Sequence, residues 1–317
     1  MTDFDPRSRP GAYPIDTQDG WQLRLQHAGL SGGAPVLCIP GYGMNDRLFH
    51  RRPGGPPLVQ ALLRAGLDVW TLDPRTCRSA GRKPDAGPTT LVTLASQDVA
   101  TALDIVRAAT QRDRVSIVGC SLGGTVALLA ALDKPAAIDR IVLAASPVAW
   151  PRSSLTRILT GLSPILGRLP VRGTRTAASF LLKPLGRLGL LAPYLNSALT
   201  DIWAADALIP IVEDPVPSLN ADLIRWMHSG AVAADGEAFT TMLSAIENPT
   251  LVLWSRGDGI VPPASALAVV DALGVRPSVQ EVMSPDGARV GHADLFVSRI
   301  SESAVHQPIA TFLTMGR

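Results

Sequence analysis

Short apolar runs and amphipathic stretches alternate along most of the chain, and this alternation is the main guide to its fold. Runs typical of strands occupy residues 21–27, 35–40, 68–73, 114–119, 140–145, 249–255 and 278–283. Apolar residues at helical spacing follow at 56–66, 99–106, 122–132, 264–273 and 295–313. Nearly continuous apolar strands are typical of a sheet that is buried on both faces. The sequence therefore predicts an α/β fold, with helices on both faces of a mostly parallel sheet.

The alternation is interrupted once, between residues 148 and 247. This segment is rich in Leu, Pro and Gly and shows no strand-like alternation. We therefore predict one core domain formed by residues 1–147 and 248–317, into which residues 148–247 are inserted as a mostly helical cap.

Composition narrows the classes of function. Of the 317 residues, 46% are hydrophobic and 18% charged, which is typical of a globular protein with a substantial core. The net charge of +2 offers no electrostatic basis for binding nucleic acid. The three cysteines (Cys38, Cys77 and Cys120) form no CxxC pair, and no two histidines have metal-ligand spacing. We therefore expect no disulfide framework, no metal and no cofactor.

The N-terminal residues are polar and lack an apolar stretch, so they do not resemble a secretory signal. The apolar runs elsewhere are far shorter than a membrane-spanning helix requires. We expect a cytoplasmic protein without stable membrane insertion.

The strongest chemical candidate is Ser121, in the pattern Gly119-Cys-Ser-Leu-Gly123. A nucleophilic hydroxyl can be exposed at a sharp turn between a strand and a helix, where flanking glycines prevent collisions. A buried strand precedes this pattern and an apolar helix follows it, which is the required context. The alternative is a turn of small residues. Cys120 is a rival nucleophile, but its position before the turn favours a small buried hydrophobe.

A serine hydroxyl needs a base within hydrogen-bond reach and a carboxylate to orient that base. In the α/β-hydrolase arrangement, which the pattern around Ser121 resembles, the carboxylate and then the histidine follow the serine in chain order. His292 lies in a loop after the last predicted strand, whereas His306 falls within a helix pattern, so His292 is the predicted base. The loop after residues 249–255 contains Asp258, the predicted acid, although Gly-Asp-Gly is also ordinary turn chemistry. Asp294 follows the histidine and breaks the order.

An oxyanion requires two preorganised N–H donors. The amide of Leu122, at the start of the helix after Ser121, is the natural first donor. The second should come from the loop after the early strand, in Pro40-Gly-Tyr-Gly43, and we predict the amide of Tyr42. This Gly-x-Gly is not a dinucleotide site, because Asp46 stands where a third glycine would be.

With these residues placed, the chain resembles the α/β-hydrolase superfamily over almost its whole length. The matching segments are 40–43, 72–75, 119–124, 257–262 and 291–292. The resemblance implies the α/β-hydrolase fold and activity on an ester, with Ser121, Asp258 and His292 as its triad. Residues 69–75 and the long cap look like the acid-lipase and polyhydroxyalkanoate-synthase branches. Those synthases carry cysteine where this chain has Ser121, which favours hydrolysis over polymer growth.

The predicted cap suggests a hydrophobic substrate. Trp150, Trp203 and Trp226 lie in it or at its edge beside many leucines, and we predict that they help to bind a small hydrophobic ester. Residues 140–200 carry eight Lys or Arg and no acid, and residues 201–247 carry eight acids. The basic half is compatible with contact with anionic lipid. The more ordinary interpretation is solvated helix faces that pair with the acidic half.

The basic residues of this half of the cap are Arg152, Arg157, Arg168, Arg172, Arg175, Lys183 and Arg187. Two other functions remain open beside ester hydrolysis. One is acyl transfer related to polyhydroxyalkanoate synthesis, and the other is a catalytically inactive hydrolase fold used as a binding module. The sequence does not define the natural ester or the oligomeric state.

Overall fold

A single mixed sheet forms the centre of the molecule, whose computed structural model describes residues 10–29, 32–150, 171–232 and 236–316. Within these ranges the strands are β1 (Gly11–Asp16), β2 (Trp21–His27), β3 (Pro35–Ile39), β4 (Asp68–Asp73), β5 (Gly81–Arg82), β6 (Val115–Cys120), β7 (Ile138–Ala144), β8 (Thr250–Trp254) and β9 (Ser278–Glu281). Their order is β1-β2-β4-β3-β6-β7-β8-β9, and β5 pairs with β2. The seven predicted strands are confirmed, while β1 and β5 were not predicted.

Strands β4, β3, β6, β7, β8 and β9 run parallel, whereas β2 pairs antiparallel with β1, β4 and β5. The mostly parallel sheet is thereby confirmed. The antiparallel pairing of β1 and β2 forms one end of the sheet and was not expected, because a parallel and an antiparallel strand can carry the same local alternation.

Among the described residues, the α-helices with four or more residues are α1 (Arg47–His50), α2 (Leu58–Arg64), α3 (Ala100–Thr110), α4 (Leu122–Asp133), α5 (Thr174–Arg187), α6 (Ala205–Leu208), α7 (Pro217–Ser229), α8 (Phe239–Met242), α9 (Pro263–Leu267), α10 (Val269–Ala272), α11 (Asp294–Val297) and α12 (Gln307–Thr314). A short helical turn and a π-helical stretch, Leu94–Val99, precede α3 directly.

Two hydrophobic clusters cover the two faces of the sheet. In β3, Leu37 belongs to the cluster that α3 and α4 complete, whereas Val36 belongs to the cluster that α1, α2, α11 and α12 complete. Successive side chains of a strand point to opposite faces, so each apolar strand supplies both clusters. The prediction of helices on both faces is confirmed.

Two predicted helices are shorter than their apolar patterns. The pattern at 264–273 is divided into α9 and α10, and that at 295–313 is divided by a break at Ser298. Ser298 is extended, and its N–H donates to the hydroxyl of Ser301 at 3.0 Å. Hydrogen bonds between serine side chains and the nearby backbone compete with the hydrogen bonds of a helix. The helix α11 therefore ends at Val297, although the apolar residues continue at helical spacing beyond it.

Between β7 and β8, the described residues form α5 to α8 with connecting turns and two isolated β-bridges. Residues 151–170 of the predicted cap, with Arg152, Arg157 and Arg168, lie outside the described residues. None of the helices in the described ranges has the length and apolar character needed to cross a bilayer.

Candidate active site

Ser121 lies between β6 and α4, in a backbone conformation that side chains rarely adopt. Its φ is 50° and its ψ is −125°, and its N–H donates to the carbonyl oxygen of Ala144 at 2.8 Å. The flanking glycines are required by contact: a Cβ on Gly119 would lie 2.4 Å from the Cα of Gly124, and one on Gly123 would lie 2.4 Å from the carbonyl oxygen of Ile39. The strained turn therefore aims a small hydroxyl out of the end of the sheet.

Asp258 and His292 meet although 33 residues separate them in the chain. The Nδ1 atom of His292 lies 2.7 Å from Oδ2 of Asp258, and both residues are buried. The other carboxylate oxygen, Oδ1, accepts the N–H groups of Ile260 at 2.8 Å and Val261 at 2.9 Å. An ionised carboxylate only accepts hydrogen bonds, so Nδ1 carries the proton in this pair and Nε2 is the acceptor.

The sheet places the three predicted triad residues along one edge. Ser121 follows β6, Asp258 follows β8, and His292 follows β9. These strands are parallel, so their carboxyl ends lie along the same edge, where α/β folds form their binding sites. β7 lies between β6 and β8 and ends at Ala144. The next residue, Ala145, has a positive φ of 51°, and residues 145–150 contain no carboxylate.

The predicted oxyanion loop packs directly against Ser121. A Cβ on Gly41 would lie 2.9 Å from the Cβ of Ser121. Leu122 is the first residue of α4, so its N–H has no partner within the helix. Gly41, Tyr42, Leu122 and Gly123 line one small cavity of about 20 Å³, so the two predicted donor residues lie around a common space.

The side chain of Tyr42 anchors this loop to the inserted segment. Its hydroxyl donates to the side-chain oxygen of Asn220 on α7 and accepts the N–H of Val216 at 3.2 Å. Burial raises the pKa of Tyr42 to about 12, so the hydroxyl stays protonated and remains a donor at neutral pH. These side-chain contacts therefore fix the position of the loop that carries the backbone N–H of Tyr42.

These observations agree with the comparisons with known proteins. Residues 34–190 match the family model described as alpha/beta hydrolase fold. The chain belongs to the α/β-hydrolase superfamily. It is similar in structure to a hydrolase from Pseudomonas aeruginosa PA01, with a TM-score of 0.65, 18% identity and coverage of 96% of this chain and 98% of that chain.

Two esterases are also similar in structure to this α/β hydrolase. For a thermophilic esterase from Thermogutta terrifontis, the TM-score is 0.62 at 17% identity, covering 96% of this chain and 98% of that chain. For an esterase from Exiguobacterium antarcticum, it is 0.64 at 16% identity, covering 96% and 99%. At sequence identities this low, the structural similarity shows that the fold is shared and nothing more specific.

A segment of the inserted region connects the two loops that carry Asp258 and His292. The carbonyl oxygen of Pro193 accepts the N–H of Gly259 at 2.9 Å and the N–H of His292 at 3.2 Å. The ring of Tyr194 stacks near that of His292, with centroids 6.1 Å apart. Sequence reasoning missed this segment. Its only local signal is the pair Gly259 and Gly291, where a Cβ would collide with residues 192–194.

Asp294 is fully buried beside the histidine but does not contact its ring in the manner of Asp258. It accepts the N–H of Gly291 at 2.8 Å, the N–H of Asn196 and the hydroxyl of Thr200 at 2.7 Å. Burial raises the pKa of Asp294 to about 6. It therefore ties the His292 loop to the inserted region.

Glu213 makes a second connection, between the inserted region and the oxyanion loop. Its N–H donates to the carbonyl oxygen of Gly43 at 2.8 Å. Its buried carboxylate accepts hydrogen bonds from Asn45 at 2.6 Å, Arg78 at 2.9 Å and Arg175 at 2.9 Å. The segment that precedes it pairs with the loop through a bridge between Met44 and Val212. Contacts between residues so far apart in the chain leave no periodic signal in the sequence.

Cys120 is buried in the core, and burial raises the pKa of its thiol, as does the nearby carboxylate of Asp258. Cys38 and Cys77 are buried as well. A thiol with a raised pKa has little thiolate to act as a nucleophile. Within the described ranges, no group of three or more His, Cys, Asp or Glu side chains is arranged to hold a metal ion.

An apolar cavity of about 300 Å³ lies beside the catalytic edge, under α5. Its walls come from α5, from the segments around Tyr194 and Ile211, and from the core residues Met44, Leu48 and Val297. Three of its lining residues adjoin the site, since Met44 contacts the Gly41 position, Tyr194 stacks near His292, and Ala293 follows His292. The cavity therefore lies next to the edge of the sheet that carries Ser121 and His292.

The predicted substrate-binding tryptophans lie elsewhere. Trp226 is buried in the core, in edge-to-face contact with Trp150 at 5.7 Å and Phe239 at 5.8 Å. Trp203 is 53% exposed and packs under Lys183 and Arg187. None of the three lines the apolar cavity, whose walls are mainly leucine, isoleucine, valine and alanine.

Proposed function

We propose that the protein is a carboxylester hydrolase that cleaves a small hydrophobic ester through an acyl-enzyme on Ser121. The observation that carries this proposal is the buried pair of Asp258 and His292, 2.7 Å apart, at the same edge of the sheet as a serine with φ of 50°. A serine hydroxyl, a carboxylate and a histidine in this chain order form the arrangement that activates a serine nucleophile.

In the proposed reaction, Oγ of Ser121 attacks the ester carbonyl while Nε2 of His292 takes the hydroxyl proton. The N–H groups of Tyr42 and Leu122 stabilise the negative charge that develops on the carbonyl oxygen. The tetrahedral intermediate expels the alcohol, which receives the proton from His292, and the acyl group stays on Ser121. Water then attacks the acyl-enzyme with His292 as base, and Asp258 keeps the imidazole in the required tautomer.

The apolar cavity suggests which side of the ester is hydrophobic. It offers aliphatic walls and very few polar groups, so burial of methylene groups there would contribute about 0.8 kcal/mol each. The reaction needs no metal and no cofactor, since base, nucleophile and oxyanion donors all come from the chain.

Hydrolysis of p-nitrophenyl esters of increasing acyl length tests the proposal. Ser121→Ala and His292→Ala should each abolish turnover, and Ser121→Ala should also abolish labelling by a fluorophosphonate probe. Cys120→Ala is the matched control, because it removes the rival nucleophile one residue away and should retain labelling. Unchanged turnover in Ser121→Ala would refute the assignment.

Acyl transfer and a non-catalytic role are separated by the same assays. If an added alcohol or thiol captures most of the acyl group in place of water, the protein is a transferase on the same acyl-enzyme. If the wild-type protein neither labels nor turns over any ester, the hydrolase fold serves as a binding module.

A further inference from the structure

The outer side of α5 and the turns after it expose an unusual amount of apolar surface. Seven of the fourteen exposed large hydrophobic side chains in the described residues lie between residues 171 and 203. The most exposed are Phe180 (75%), Leu188 (72%) and Leu190 (65%). A helix normally buries its apolar residues against the core, so exposed aromatic and leucine side chains grouped in one region indicate a contact surface.

Cations without acidic partners accompany these apolar side chains. Residues 171–200 contain Arg172, Arg175, Lys183 and Arg187 and no Asp or Glu. Arg175 is paired with Glu213, but the other three form no ion pair with any described residue. Arg187 and Lys183 lie over the ring of Trp203, 4.4 Å and 5.2 Å from its centroid, which places Trp203 in the same surface. The nearest acid in sequence, Asp201, accepts the N–H of Trp203.

Phe180, Lys183 and Arg187 share one face of α5, because residues three, four and seven apart are neighbours on a helix. The opposite, inner face carries Ala178 and Leu182, which line the apolar cavity. Leu181 lies between the two faces, since it lines the cavity and is 49% exposed. The exposed surface is thus continuous with the cavity beside Ser121.

We propose that this surface, formed by Phe180, Lys183, Arg187, Leu188 and Trp203, docks on an anionic lipid layer. Exposed Phe, Leu and Trp side chains beside Lys and Arg are the composition of helices that lie in the interface of a membrane. Each basic side chain near an anionic surface contributes about a fivefold factor to binding.

A second copy of the chain fits this surface less well. In a symmetric dimer the same patch would face itself, which would bring Lys183 and Arg187 of each copy together without an acid to offset them. An anionic lipid surface instead neutralises these cations and accepts the apolar side chains at the same time. Docking would place the cavity next to the layer from which an acyl chain could enter at Leu181.

Vesicle sedimentation with the full-length protein tests the proposal, using phosphatidylcholine alone and phosphatidylcholine with phosphatidylglycerol at about 3:1. The wild-type protein should bind the mixed vesicles at least about tenfold more tightly, and added salt should weaken this binding. Ser121→Ala should bind equally well, because Ser121 is not part of the surface. Docking is therefore tested separately from the proposed ester chemistry.

Two variants probe the two kinds of side chain. Lys183→Glu with Arg187→Glu should weaken binding to the mixed vesicles at least about tenfold and leave binding to phosphatidylcholine alone unchanged. Phe180→Ser with Leu188→Ser should weaken binding to both. All four side chains lie outside the hydrophobic core, so the variants should keep the wild-type melting temperature.

Matched controls make the same chemical changes elsewhere on the surface. Arg112→Glu with Arg114→Glu reverses two exposed arginines, and Met283→Ser removes a side chain that is 65% exposed. Both should bind within about twofold of the wild type. The proposal is overturned if the wild-type protein does not bind mixed vesicles, or if the controls lose as much binding as the test variants. It is also overturned if Phe180→Ser with Leu188→Ser instead dissolves a dimer.

Discussion

The substitution Asp258→Asn tests the proposed role of the carboxylate, because the surrounding hydrogen bonds dictate how the new amide must lie. In the wild-type protein Oδ1 accepts two backbone N–H groups, from Ile260 and Val261, and Oδ2 faces Nδ1 of His292. The amide oxygen should keep the two N–H donors. The NH₂ group then faces His292 and donates to Nδ1, which moves the imidazole proton to Nε2, where it blocks proton transfer from Ser121.

If the new amide turned the other way, its oxygen would face Nδ1 of His292 and keep the imidazole proton there, as catalysis requires. That orientation has a large energetic cost. It would leave two buried N–H groups without acceptors, at about 1–3 kcal/mol each, or about 2–6 kcal/mol in total. If only that orientation supports catalysis, kcat should fall about 30-fold to about 10⁴-fold. The folded structure should survive, because the two side chains have nearly the same shape.

The assay is steady-state hydrolysis of a p-nitrophenyl ester, together with the rate of fluorophosphonate labelling and the melting temperature. Asp68→Asn is the matched control, since Asp68 forms another buried pair with a histidine, His27, at 2.8 Å and follows no catalytic strand end. It should leave kcat within about threefold. A kcat for Asp258→Asn within tenfold of the wild type, at an unchanged melting temperature, would refute the reasoning.

Three further predictions follow from contacts in and around the site. Gly41→Ala should lower kcat about 100-fold, because the new Cβ would lie 2.9 Å from the Cβ of Ser121. Gly81→Ala is the control, since its Cβ would meet only ordinary contacts at 3.7 Å. Equal losses of kcat in both variants would contradict the proposed role of the close contact at Gly41. Ala178→Phe fills part of the apolar cavity, so kcat/KM for an octanoyl ester should fall about 100-fold through the loss of about four buried methylenes, with the acetyl ester little changed. Thr176→Phe, on the exposed side of the same helix, should have neither effect; a uniform loss for both esters would show that the cavity does not hold the acyl chain.

The last prediction of this group concerns stability in acid. Burial and the Arg52 cation lower the pKa of His306 to about 3, so the folded state disfavours its protonated form. Its contribution is present above a pH of about 6.5 and is lost as the pH falls towards 3, by about 1.4 kcal/mol per pH unit. In urea unfolding, His306→Phe should therefore lose about 2 kcal/mol less than the wild type between pH 7.5 and pH 5; parallel losses would contradict this account.

Much of the fold could be predicted because its signals are local. The apolar runs at β3, β4, β6, β7 and β8 have the length and continuity of buried strands, and each is followed by helical spacing or a turn. Because parallel strands end at one edge, the positions of Ser121, Asp258 and His292 after β6, β8 and β9 already predict that they lie along the same edge. The short pattern around Ser121 is informative because contacts within a few residues and with the neighbouring strand require both of its glycines.

What the tertiary structure decided is how the inserted region contacts the site. Pro193 bridges the loops of Asp258 and His292, and Glu213 holds the oxyanion loop through Asn45, which lies 168 residues away in the chain. Of the tryptophans predicted to bind the substrate, Trp226 lies in the core, Trp203 lies on the surface, and neither lines the apolar cavity. A hydrophobic side chain can be buried in a core, exposed at a docking surface or placed against a ligand with the same local pattern. Only packing between distant segments distinguishes these three environments, because burial depends on which surfaces meet and not on the residue's neighbours in sequence.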